Sequence, residues 1–251
     1  DRKGANVMKV KEVIEIIEQR YPLSLQEEWD HSGFQCGDRE QEVKKIMIAL
    51  DCDKRTIKEA VEKKCNLLIT HHPLLFKEIS LDAQTSTGEM ISLAIKNSLS
   101  IYSSHTPLDK VDMNEWLIEK LPVKDISSPN EFVRSARLIT PLGLKDFLKL
   151  VKETYSVEII KYAGLKKEVQ TISICGGSGS EFFLETDTDA YITGDTKYHI
   201  GEEAYNTNKL LIDVGHHIEK IMVPKLKAYL QERISVEIIE SSSPDYYKFY
   251  L

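Results

Sequence analysis

Apolar residues at Val10, Val13, Ile14 and Ile17 recur at the spacing of one helix face, and the pattern stops ahead of Tyr21-Pro22. A polar, loop-like stretch follows from Glu28 to Gly37. Short apolar runs then alternate with helical patterns. Lys45 to Leu50 reads as a buried strand, Thr56 to Lys64 as a helix and Asn66 to Thr70 as a strand, with a helix over Gly88 to Ser98 and a strand over Leu99 to Ser103. Strand and helix in alternation predict parallel pairing through right-handed crossovers.

The second half repeats this order. Leu144 to Tyr155 predicts a helix, Val169 to Cys175 a strand, and Gly176-Gly-Ser-Gly179 a turn into a short helix. Ala190 to Thr193 and Lys209 to Val214 read as strands, and a long helical pattern follows Gly215. Pro224 falls inside that last pattern, so the helix must kink or begin again there. The expected fold class is α/β: two α/β lobes with mostly parallel sheets flanked by helices. The boundaries are 8–125 and 126–251, with the seam in Pro122 to Asn130. Asp1 to Val7 precede Met8 and read as a remnant of expression.

Composition narrows the class. Hydrophobic residues make up 41% of the chain and charged residues 29%, as in a globular domain with a real core. The balance of 33 basic and 40 acidic side chains gives −7, which argues against nucleic acid as a partner. No apolar run approaches the length of a membrane helix, so no membrane partner is expected. Four cysteines without a C-x-x-C pair suit a reducing, cytoplasmic setting.

The histidines carry the chemistry. In an open parallel sheet, ligands bind beyond the carboxyl ends of the strands. His71 and His72 directly follow one predicted strand, and Pro73 breaks the chain into a loop so that both rings can serve one site. His105 follows another strand, with Asp109 four residues on. His216 follows a third across Gly215, and a helix beginning there puts Glu219 on the same face. Each piece alone has a plain alternative: polar loop residues, a turn, or a helix-start carboxylate. Together, His71, His72, Asp109, His216 and Glu219 exceed what one open zinc site needs and suit two divalent ions, zinc, iron or manganese, bridged by a carboxylate. Gly176 to Gly179 reads as a tight turn or as a phosphate cradle. Gly194 to His199 reads as a loop or a pocket lining, and Trp29-Asp-His31 as a packed aromatic beside a turn or as a substrate wall.

Six segments resemble, in order, the GTP cyclohydrolase I type 2 family, also called NGG-interacting-factor-three-like. They are Trp29-Asp-His-Ser-Gly33, Ile69-Thr-His-His-Pro-Leu74, His105-Thr-Pro-Leu-Asp109, Ile174-Cys-Gly-Gly-Ser-Gly179, Ile192-Thr-Gly-Asp-Thr-Lys-Tyr-His199 and Asp213-Val-Gly-His216. The resemblance implies a homohexameric ring with a two-metal site in the cleft between lobes, held by His71, His72, Asp109, His216 and Glu219. It also implies a hydrolase whose metal-bound hydroxide attacks a purine nucleotide such as GTP. His199, Lys197 and His105 are then the candidates for proton transfer or phosphate contact. The chain departs from the family's pattern at His31, where asparagine is usual, and at Lys110 to Met113, where glycines are. The alternative is a non-catalytic metal-binding ring that acts as an interaction or regulatory scaffold. A general two-metal phosphoesterase is a third reading.

Overall fold

The computed structural model describes residues 7–76 and 82–250. The expected expression remnant, Val7 apart, lies outside them. Along the chain the helices are α1 (Val10–Arg20), α2 (Lys54–Glu62), α3 (Ser86–Lys96), α4 (Thr106–Leu108), α5 (Asn114–Ile118), α6 (Leu144–Tyr155), α7 (Tyr198–Asn206) and α8 (Met222–Gln231). The strands are β1 (Gly33–Cys36), β2 (Lys45–Ala49), β3 (Leu67–Thr70), β4 (Ser100–Ser103), β5 (Val123–Ser127), β6 (Arg134–Gly143), β7 (Lys161–Ala163), β8 (Glu168–Ile174), β9 (Ala190–Thr193), β10 (Leu210–Asp213) and β11 (Glu237–Glu240).

The contacts divide the chain into two compact units. The first holds the described residues up to Leu108 together with Met222–Pro244; the second holds Asp109–Ile221 and the residues from Asp245. This differs from a single cut at 125/126. Pro122 to Asn130, expected as the seam, carries β5, which pairs with β6 inside the second unit. The chain also returns to the first unit at its far end, because β11 pairs in parallel with β2.

Among the described residues the first unit has one sheet, in the order β1-β4-β3-β2-β11. β11, β2, β3 and β4 run parallel, and β1 is antiparallel to β4. Every residue of β3 and β4 is buried, the continuous burial expected where helices cover both faces. Met47, Ile57, Leu68, Ile91 and Ile101 belong to one apolar cluster of this unit. Asp53 caps α2 by accepting from the Thr56 amide at 2.8 Å, and Thr85 caps α3 in the same way through the Gly88 amide. The helix after Gly215 begins again as Pro224 requires: a 3-10 segment, His216–Ile221, gives way to α8 at Met222. Pro224 then sits in the first turn, where its missing N–H has no intrahelical partner to lose.

The second unit's sheet runs β5-β6-β8-β9-β10-β7 and is mixed rather than mostly parallel. β8, β9 and β10 are parallel, while β5, β6 and β7 add antiparallel pairings. Phe183, Tyr191 and Leu211 lie in its apolar cluster. Lys209 is buried against them; its ammonium donates to the Phe183 and Thr186 carbonyls and sits 4.6 Å from the Phe183 ring centroid. Burial pushes its pKa down to about 8.

One carboxylate ties the end of β11 back to α2. Glu59 accepts from the Ser242 amide at 2.9 Å and the Ser242 hydroxyl at 2.6 Å, and pairs with Lys63 at 2.6 Å. Burial raises its pKa, but these partners outweigh burial and hold it at about 2 against the ordinary 4.5. A depressed carboxyl pKa stabilises the fold above the unfolded value, and this contribution is lost as the pH falls through the folded one. In urea titrations, the unfolding midpoint of the native chain should therefore fall between pH 4.5 and 2 more steeply than that of Glu59→Gln. Parallel curves would contradict the pairing.

Candidate metal centre

The register of the first sheet collects the imidazoles. Ala49 lies beside Thr70 and Thr70 beside Ser103, so β2, β3 and β4 end level with one another. The residues that follow them leave the sheet at one edge: Leu50-Asp51, His71-His72 and Ser104-His105. The amides of both His71 and His72 donate to the Leu50 carbonyl, at 3.1 and 3.0 Å, which turns the chain and lets consecutive side chains share a side. The ring centroids of His71 and His72 are 4.7 Å apart, with His105 at 5.1 and 5.2 Å from them. Each of the three rings offers a ligand atom within 4.8 Å of the others.

Each ring is held through Nδ1. His71 Nδ1 lies 2.8 Å from the Ser104 carbonyl, His72 Nδ1 2.8 Å from Asp51 and His105 Nδ1 2.9 Å from Asp30. A carbonyl or carboxylate only accepts, so Nδ1 carries the proton and Nε2 the lone pair in each neutral ring. Acceptors on the far nitrogen are what orient metal-binding histidines and raise their basicity. The donor set and its backing therefore fit a divalent ion. Asp30 supports more than one neighbour. Besides His105, it accepts from the His31 and Thr106 amides and from the Ser32 and Thr106 hydroxyls. Burial alone would raise its pKa, but hydrogen bonds from His105, Thr106 and Ser32 hold it well below the usual carboxylate range.

The second unit brings together Asp109, His216 and Glu219. Asp109 opens a π-helical turn, Asp109–Met113, between α4 and α5, where the sequence suggests only a turn. One carboxylate oxygen of Asp109 and one of Glu219 lie within 4.8 Å of each other. His216 Nδ1 is 3.9 Å from Glu219 and 3.7 Å from Asp195. Asp213, at the end of β10, accepts from the Thr196 and Gly215 amides at 2.9 and 3.0 Å and pairs with Lys161 at 2.9 Å, which fixes the turn leading into His216.

The Gly176–Gly179 segment is a tight turn built around Glu219. Two of its amides are used internally: Gly176 donates to Asn114 Oδ1 at 2.7 Å and Gly179 to Thr193 Oγ1 at 3.1 Å. Gly177 has φ +64°, and a Cβ there would lie 2.7 Å from Glu219 Oε1. Glycine at 177 is needed for backbone shape and for room beside the Glu219 carboxylate.

Lys197 and His199 lie at the start of α7. Lys197 lines a cavity of about 860 Å³ with Lys161, Tyr162, Tyr198 and Tyr205, and the His199 side chain is 87% exposed, 3.9 Å from Glu202. Trp29 is not a packed aromatic: it is 58% exposed.

The sequence reading missed Asp30, Asp51, Ser104 and Asn114 as supports. Asp51 had a usable signal, because it follows a parallel strand as His71 and His105 do. Nothing in the local sequence marks a backbone carbonyl such as that of Ser104 as a histidine's partner.

Residues 8–245 match the Duf34/NIF3 (NGG1p interacting factor 3) family. The chain belongs to that family. Within Duf34/NIF3, similar curated relatives include proteins named GTP cyclohydrolase 1 type 2 homolog. One from Clostridium acetobutylicum is 36% identical, covering 96% of this chain and 99% of the relative. One from Clostridium perfringens is 33% identical, covering 96% and 100%. The crystal structure of a Staphylococcus aureus hypothetical protein superposes with a TM-score of 0.89 at 26% identity, covering 98% of this chain and 100% of that one. The Duf34/NIF3 assignment agrees with the resemblance drawn from the six segments. No helix among the described residues is long and apolar enough to cross a membrane.

Proposed function

We propose that this chain is a hydrolase that uses two divalent metal ions, zinc, iron or manganese, and acts on a purine nucleotide such as GTP. The observation that carries the reading is the trio His71, His72 and His105, each with its Nδ1 held by an oxygen acceptor. Metal-ligating histidines almost always donate their other ring N–H to such an acceptor. The names of the curated relatives point to GTP as the nucleotide.

In this reading His71, His72, Asp109, His216 and Glu219 are the metal ligands. Ions held there supply Lewis acidity and make a nearby water more acidic. His105, with Asp30 behind it, takes up a proton at Nε2 as water adds to the ring carbon and returns it to the departing nitrogen. Lys197 and His199, exposed at the head of α7, are assigned to the phosphates. A homohexameric, cytoplasmic protein goes with this proposal on the strength of the family alone.

The test is turnover. Metal-loaded protein should open GTP faster than other nucleotides or a generic phosphoester, and Asp109→Ala should abolish the activity. Activity that survives in Asp109→Ala, or never rises above buffer, would overturn the hydrolase reading; the latter result with metal bound would favour a non-catalytic scaffold.

A further inference from the structure

Two large aromatic side chains stand exposed beside the imidazole trio. Trp29 is 58% and Phe76 44% exposed, and their ring centroids lie 5.7 and 5.5 Å from that of His105, both edge-on. Leaving such rings in water forfeits the burial that usually places them inside a protein.

Their mounts are fixed even though their faces are open. Trp29 precedes Asp30, whose carboxylate is bonded to His31, Ser32, His105 and Thr106. Phe76 follows Leu74, which is buried, and Leu75, whose amide donates to Gln35 Oε1 at 3.1 Å. An exposed ring on a rigid support loses little entropy when a ligand covers it, which is how aromatic recognition residues gain affinity.

We infer that Trp29 and Phe76 form the recognition slot for a planar heteroaromatic ring, presenting it to the His105 imidazole. The inference rests on the proposed active site and deepens it by naming the residues that select a ring-bearing substrate. A π-face is the chemistry these walls reward: base–aromatic stacking is sequence-tolerant and responds strongly to removal of the aromatic partner. A phosphate, which has no π-face, gains nothing from them, and a sugar gains less than a planar base.

The chain has two tryptophans, and the other, Trp116 in α5, is half-buried, so a Trp116→Phe background makes Trp29 the fluorescent reporter. Guanosine is titrated against ribose 5-phosphate and inorganic triphosphate, with and without added divalent metal, and circular dichroism confirms that each variant folds. Guanosine should quench Trp29 and the two probes without an aromatic ring should not. Phe76→Leu in that background, and Trp29→Leu followed by calorimetry, should each weaken guanosine binding by about ten-fold. Equal binding of the probes without an aromatic ring, or unchanged guanosine affinity in both variants, would overturn the slot. GTP turnover run in parallel separates the two proposals. Ring-selective binding without turnover leaves the slot standing while the hydrolase reading falls. Turnover with an unchanged KM in both variants does the reverse.

Discussion

Asp30→Ala should lose about 3–5 kcal/mol of unfolding free energy, the largest stability effect expected of any single change described above. The substitution leaves five donors facing a gap: the His31 and Thr106 amides, the Ser32 and Thr106 hydroxyls, and His105 Nδ1. A buried donor left without an acceptor costs about 1–3 kcal/mol, and donors that share one site do not add in full. Urea unfolding measures the loss. Asp30→Asn keeps one acceptor oxygen and much of the shape, so it should lose less stability. Its effect should fall on the site, with turnover down by about 10–100-fold, because Asp30 orients the His105 imidazole that carries the proton. An alanine variant that unfolds at the native urea concentration would show that this network does not hold the two loops together.

Gly177→Ala should damage the centre from the carboxylate side. The residue sits at φ +64°, where a side chain costs roughly 1–2 kcal/mol, and the added methyl would lie 2.7 Å from Glu219 Oε1. Glu219 must move to make room. The expected result is a modest drop in unfolding temperature with a disproportionate loss of metal affinity, on the order of 10–100-fold, read by competition with a chelating dye. Gly143→Ala is the control, since nothing lies within 4 Å of a Cβ there. Equal metal affinity in the two variants would mean that the glycine turn does not set the position of Glu219.

Much of the fold was legible because its signals are local. β3 and β9 are short, mostly apolar and fully buried runs, and α1 and α6 carry a clean helical stripe. The strand-end rule then found His71, His72 and His105, because level parallel strands deliver their next residues to one edge. What the sequence did not disclose depends on distant pairing. β6 reads as polar along much of its length and becomes a strand through its neighbours β5 and β8. β11 belongs to the first sheet only because α8 carries the chain back to β2. The site's supports were hidden for the same reason: the partners of Asp30 at His105 and Thr106 lie 75 and 76 residues away along the chain. Trp29, readable as a packed aromatic or as a substrate wall, was left open for a different one. Hydrophobicity argues for burial, and only coordinates reveal a tryptophan held by its neighbour's hydrogen bonds with its own ring left in solvent.

The most direct test of the account is an anomalous-difference map from crystals grown without chelator and soaked with zinc or manganese. Two peaks are expected, with His71, His72, Asp109, His216 and Glu219 as the ligands. A single peak held by the imidazoles alone, or no peak near Asp109 and Glu219, would contradict it.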